Sequence, residues 1–233
     1  MSDYLEIINR PHIYIDYETN MAGNIYLLGY RVNEQFQQKI MDTRLQGLAN
    51  SMNLEIIDPV QGTCEILKLA IETNSIIVAY SEAERNIFKT LSAHHHNTNQ
   101  YKDIPYLNLL HATKKWINKC YKTEFNALPP FRRNLNDYQA RTLRRALCSV
   151  MRLTDFQAPK DYAPGKTTQR FETVAAALLL RENNYSKLTR VQKTKATKAL
   201  KHNQFDVEAL PVLFDAIKRD SEDCFKKSIK DCF

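Results

Sequence analysis

Apolar and polar positions alternate from His12 to Glu18, HIYIDYE, with Ile13, Ile15 and Tyr17 on one side and Tyr14, Asp16 and Glu18 on the other. A two-residue period is that of a β-strand. Asn24 to Val32, NIYLLGYRV, follows a short Met-Ala-Gly-Asn turn, and Gln35 to Met41 reads as a third strand, so the chain opens as an antiparallel meander. Asp58-Pro59 then predicts a helix, with Asp58 as N-cap, Pro59 at the first helical position and Ile66, Leu67, Leu69 and Ala70 as its apolar stripe. The β-branched run Ile76 to Val78 returns as a strand and leads into a helix from Glu82 to Ser92. The remainder reads as mostly helical, over Asn136 to Met151, Gln169 to Arg181 and Lys187 to Lys218. Pro129-Pro130 and Gln157 to Thr168 are loops between these helices. Three strands, helix, strand, helix is the order of an α/β layer with a mixed sheet.

The composition places the chain among ordinary globular proteins: 233 residues, 43% hydrophobic and 25% charged, with 12 Tyr and 10 Phe to fill a core. Intrinsic disorder as the dominant state is excluded. No run approaches the roughly 20 apolar residues that cross a bilayer. The opening MSDYLEIINRP lacks the pattern of a signal peptide. Cys64, Cys120, Cys148, Cys224 and Cys232 are odd in number and contain no CxxC pair, which argues for free thiols rather than a disulfide framework or a zinc site. The expectation is a cytoplasmic protein without a membrane segment.

The net charge of +7 is unevenly spread. Residues 1 to 112 carry 8 Lys+Arg against 13 Asp+Glu, residues 113 to 201 carry 20 against 6, and the rest 5 against 7. The middle is therefore a single basic block, in which Lys114, Lys115, Arg141, Arg144, Arg145 and Lys198 are interleaved with Trp116, Tyr121, Phe131 and Tyr138. Cations neutralise phosphates and flat side chains stack on unpaired bases, so these residues are candidates for a nucleic-acid surface. A solvated face of basic helices is the plainer alternative, and half-buried packing is the plainer reading of Trp116.

The acidic residues sharpen the picture. Asp16 and Glu18 lie two apart on a strand, so both project from the same face about 7 Å apart. Hard oxygen ligands so spaced suit Mg²⁺ or Mn²⁺. Near the other end of the chain, the stripe Leu210, Leu213, Ile217 stepped back one turn reaches Asp206, an acid on the core-facing side of a helix, with His202 and Asn203 on the same face. A carboxylate there needs a cation, a metal or a helix N-terminus opposite it. In VAYSEAERNIFKTL, Glu84 shares the side of Phe88 and Leu91, while Glu82 lies about two-thirds of the way round and caps or faces solvent. Because the last helix carries an acid that the first strand requires, residues 1 to 233 read as one domain, with about 113 to 200 as a basic helical insertion.

These segments resemble the DEDD exonucleases of the RNase H-like superfamily. YIDYET resembles their first motif, VAYSEAERNIFKTL the second motif in the branch of predicted RNase H-like nucleases associated with RecB-type nucleases, and LKHNQFDVEALPVL the final one. The resemblance spans roughly residues 11 to 217, the middle being supported only by ARTLRRAL. It implies a mixed five-stranded sheet flanked by helices, with Asp16, Glu18, Glu84 and Asp206 as ligands of two Mg²⁺ or Mn²⁺ ions. His202, four before Asp206, stands where the tyrosine variant of the family places the residue that orients or activates the attacking water. Histidine there departs from the pattern, as does Glu84 in place of the more usual Asp.

The implied chemistry is two-metal phosphodiester hydrolysis by a 3′-to-5′ exonuclease on single-stranded DNA or RNA, with weak sequence preference. A structure-selective endonuclease of the same superfamily and a non-catalytic nucleic-acid-binding module are the alternatives. His94-His95-His96 reads as a polar helix end or loop, and the C-terminal DSEDCFKKSIKDCF as a segment that either docks or self-associates.

Overall fold

The computed structural model describes residues 4–20, 22–92, 101–129, 146–159 and 162–232. The central strand β1 (His12–Thr19) pairs antiparallel with β2 (Ile25–Val32), which sets Asp16 opposite Gly29 and Glu18 opposite Leu27. On its other side β1 runs parallel to β5 (Ile76–Ala79), which in turn runs parallel to β6 (Pro105–Asn108). β3 (Gln35–Ile40) continues the meander beyond β2. The short strands β4 (Glu55–Ile56) and β7 (Ile229–Asp231) close the two edges, giving the order β4-β3-β2-β1-β5-β6-β7. The sheet is mixed, as the α/β reading expects, but it has seven strands rather than five. The edge strands are two and three residues long. Segments that short carry no readable period.

Among the described residues the α-helices are α1 (Tyr4–Ile8), α2 (Gln46–Met52), α3 (Pro59–Glu72), α4 (Ala83–Ser92), α5 (Leu109–Cys120), α6 (Lys122–Ala127), α7 (Leu147–Val150), α8 (Thr167–Leu179) and α9 (Arg190–Ser221). Asp58 starts α3 by accepting from the amides of Val60 and Gln61, with Pro59 behind it. α9 starts at a capping box, in which the Thr189 side chain accepts from the Gln192 amide and Gln192 reaches back to the Thr189 amide. Pro211 lies inside α9, where it costs about 3 kcal/mol. The helix continues through it because Leu210, Leu213 and Phe214 are buried on the sheet.

One face of the sheet packs Ile13, Ile15 and Tyr17 against Ile66 and Leu67 of α3 and Phe88 of α4. α9 runs along the opposite face. Its C-terminal half buries Leu210, Leu213, Phe214 and Ile217 with Tyr14 and Trp116, while its N-terminal half buries Ala196 and Ala199 with Tyr26, Leu27 and Phe171 of α8. The stretch read as a basic insertion therefore supplies part of the core. Each large side chain buried in this way contributes about 1.5–3 kcal/mol. Leu213→Ala removes one such anchor and costs about 2–5 kcal/mol.

Trp116 is fully buried and donates from Nε1 to Asp220 Oδ2 at 3.1 Å. The C-terminal segment docks: Phe225 stacks on Phe214 with ring centroids 4.8 Å apart, and β7 pairs with β6. All five cysteines are free. No helix among the described residues is long and apolar enough to cross a membrane.

Candidate active site

Between its two apolar halves α9 carries a polar turn, His202, Asn203 and Asp206, and this turn lies over the β1 residues Asp16 and Glu18. Asn203 is fully buried. Its Nδ2 donates to Asp16 Oδ2 at 2.8 Å and to the Asp16 carbonyl oxygen at 3.1 Å, and its Oδ1 accepts from Gln38 Nε2 at 2.9 Å. So close an approach needs the strand below to lack a side chain. A Cβ at Gly29, the partner of Asp16 in register, would lie 2.1 Å from Asn203 Oδ1.

Next to Asn203 on α9, His202 places its Nε2 3.1 Å from Oδ2 of Asp206, one turn further along. Tyr162, from the loop ahead of α8, donates its hydroxyl to Asp206 Oδ1 at 2.7 Å and stacks on the His202 ring, with centroids 4.1 Å apart and planes 8° from parallel. Both oxygens of Asp206 are thus oriented, and the imidazole is held between a carboxylate and a phenol ring.

The third element is the turn from β5 into α4. Glu84 is 6% exposed and accepts from Ser81 Oγ at 2.8 Å. Glu82, the competing acid, points elsewhere: it accepts from Arg85 at 2.8 Å, Asn108 at 3.0 Å and Lys230 at 3.3 Å.

Three of these acids hold their protons more tightly than usual. Burial pushes the Asp16 carboxyl well above the usual carboxylate range, and the charges of Asp206 and Glu84 push it further, against the Asn203 hydrogen bond. Glu18 is raised well above that range by burial and then by Asp16, Asp206 and Glu84, with Arg170 opposing. Glu84 is pushed up to about 7, chiefly by burial. Among the described residues, none of Asp16, Glu18 and Glu84 forms an ion pair with Lys or Arg.

These residues fit a divalent cation. Glu18, His202 and Asp206 each bring a ligand atom, all within 4.8 Å of one another. Glu18 Oε1 and His202 Nδ1 are buried and have no hydrogen-bond partner, although buried polar atoms ordinarily find one. Carboxylate oxygens suit Mg²⁺ or Mn²⁺, and the imidazole nitrogen also suits the later transition metals.

The basic residues are less gathered. Lys198 lies on α9 beside Arg190, Lys193 and Lys201 along a shallow basic surface. Lys114 lines a groove formed by α5 and α6. Lys115 donates to the backbone carbonyls of Cys224 and Lys226, so its ammonium is taken up by the C-terminal segment. Arg141, Arg144 and Arg145 lie outside the described residues, as do His94 to His96 and most of the helix expected over residues 136 to 151.

Residues that orient the site escape the sequence reading, Ser81 among them. Tyr162 stands in a loop with no periodicity to place it. Gln38 is one of several polar positions on β3. Gly29 did leave a signal, since an isolated glycine inside a strand marks a close backbone approach. Comparison of the chain with protein-family models, with curated proteins and with solved structures finds no match.

Proposed function

We propose that the chain is a divalent-metal-dependent nuclease that hydrolyses phosphodiester bonds, acting as a 3′-to-5′ exonuclease on single-stranded DNA or RNA. The observation that carries this reading is the convergence of Glu18 from β1 with His202 and Asp206 from α9, whose ligand atoms lie within 4.8 Å of one another, with Asp16 and Glu84 near enough that the charges of Asp206 and Glu84 raise the Asp16 carboxyl. The mixed sheet with helices on both faces and the resemblance of the three motifs to DEDD exonucleases support it.

Glu18, His202 and Asp206 would hold one ion, with Asp16 and Glu84 beside them for a second. Bound there, divalent ions supply a Lewis acid that acidifies water and takes up charge on the departing oxygen. The chain's own part is positional. Asn203 fixes the Asp16 carboxylate, Ser81 fixes Glu84, and Tyr162 fixes Asp206. His202 is clamped between Tyr162 and Asp206, which leaves its buried, unpartnered Nδ1 as the nitrogen offered to the ion.

The test incubates 5′-labelled DNA and RNA oligonucleotides with the protein and Mn²⁺ or Mg²⁺, beside an Asp16→Ala/Asp206→Ala variant. The expected outcome is a ladder shortening from the 3′ end with wild type and none with the variant. An equal ladder from both, or none from either, overturns the reading. Cutting of a circular single strand marks an endonuclease instead.

A further inference from the structure

A groove of about 480 Å³ opens between α5, α6 and the carboxyl end of β5. That volume falls within the roughly 300–1,000 Å³ of small-molecule sites. Ile117 and Phe125 form apolar walls, and Lys114, Asn118 and Lys122 stand exposed along the rim. On the floor lies Thr113, 1% exposed, whose hydroxyl is buried and has no hydrogen-bond partner. A buried hydroxyl ordinarily has one. No carboxylate lines the groove among the described residues.

The groove begins where the acid centre ends. Tyr80, which closes one end of it, follows β5 directly, and the next residue, Ser81, is the one that holds Glu84. The Tyr80 phenol is raised by burial and then by the neighbouring charges of Cys148 and Asp206, which places it within electrostatic reach of the centre. In open α/β sheets ligands bind at the carboxyl ends of the strands, and β5, which runs parallel to β1, ends at Ala79 beside the groove.

We infer that this groove takes an unpaired nucleotide of a single-stranded nucleic acid, adjacent to the bond the acid centre would cut. Its base lies against Ile117 and Phe125, within reach of the Thr113 hydroxyl and the Asn118 amide, and its phosphates face Lys114 and Lys122. An apolar slot rimmed by two cations matches a flat base carried on an anionic backbone. A paired base cannot enter such a slot without leaving its stack, so the substrate class is single-stranded. The inference rests on the nuclease reading for the identity of the ligand, but binding in the groove does not require the acids.

The test measures anisotropy of fluorescein-labelled oligothymidylate and oligouridylate of equal length in EDTA, where no cleavage occurs. Lys114→Ser/Lys122→Ser and Asn118→Trp alter only exposed groove positions, and Lys68→Ser/Lys102→Ser removes the same charge from exposed positions outside the groove. Both groove variants are expected to weaken binding of at least one strand by about fivefold or more, the scale of one lost base contact. The control pair should change it far less. A strand with abasic sites should bind wild type more weakly than the intact strand, and Asn118→Trp should abolish that difference.

Equal weakening by the two lysine pairs, wild-type affinity in Asn118→Trp, or no binding of either strand overturns the inference. Metal-dependent cleavage without any effect of the groove variants removes the groove and leaves the acid centre standing. Groove-dependent binding without cleavage does the reverse.

Discussion

Asp42 and Glu172 share one guanidinium. Arg44 reaches Asp42 at 2.6 Å and Glu172 at 3.3 Å, the hydroxyl of Tyr26 also donates to Glu172, and the Glu172 carboxyl titrates below the usual range because of these partners. Asp16, Glu18, Glu84 and Asp206 are built the opposite way. Their donors are the neutral groups of Asn203, Ser81 and Tyr162, together with His202, and the carboxyls of Asp16, Glu18 and Glu84 titrate above the usual range. The same contrast recurs within one turn of chain. Glu82 is matched to Arg85 and Lys230 and lowered by its partners, whereas Glu84, two residues on, is buried without a cation and raised. Carboxylates whose charge is already balanced hold the fold together. Those left unbalanced cost stability, and in the function proposed above a cation from outside offsets that cost.

The largest expected effect of that difference is metal-dependent stability. Mn²⁺ at a thousand times its Kd should stabilise the folded protein by about 4.1 kcal/mol, a rise in Tm of about 8–16 °C for a chain of this length. Asp16→Asn/Asp206→Asn should lose the rise and Glu172→Gln should keep it, as read by scanning calorimetry. An equal rise in all three breaks the contrast.

Next in size is the penalty of the unbalanced acid itself. Glu84 has a folded-state pKa above its unfolded value. Between the two values the native state binds the extra proton, so stability falls as pH rises toward and through about 7 and recovers on acidification. In EDTA at pH 8, Glu84→Gln should therefore raise the unfolding free energy by roughly 3 kcal/mol, at 1.36 kcal/mol per unit. Urea titrations at pH 5 and pH 8 read this, and the gain should shrink at pH 5. A variant less stable than wild type at pH 8 contradicts it.

Gly29→Ala sharpens the comparison from the backbone side. The added methyl displaces Asn203 from Asp16, so nuclease activity should drop by at least about tenfold, or 1.4 kcal/mol of barrier. Unchanged activity would separate Asn203 from the site. The smallest effect belongs to the balanced cluster. Arg44 is 40% exposed, and Arg44→Ala should cost about 1 kcal/mol or less in denaturant melts, without altering metal binding.

Much of this architecture is legible in the residues because each visible element has a period or a stop. HIYIDYE alternates, Asp58-Pro59 caps, and the α9 stripe places Asp206 inward. β6 escapes because Pro105–Asn108 is four residues opening on a proline, and β4 and β7 because they are shorter still. Acids are readable where a regular element fixes their side, which separates Glu84 from Glu82 by helical angle alone. The groups that orient those acids are not, since Tyr162 sits in a loop and Gln38 reaches Asn203 across 165 residues. Lys115 shows the limit of reading charge by composition: its ammonium is spent on backbone carbonyls of the C-terminal segment.

The central claim is that unbalanced carboxylates, and not acids in general, hold the ions that cut phosphodiester bonds. Its most direct test compares Glu84→Gln with Glu82→Gln in the Mn²⁺-dependent rate at which a 5′-labelled single strand is shortened. The account predicts that Glu84→Gln loses at least about a thousandfold, roughly 4 kcal/mol of barrier, while Glu82→Gln stays close to wild type. Equal losses, or a larger loss at Glu82, would contradict it.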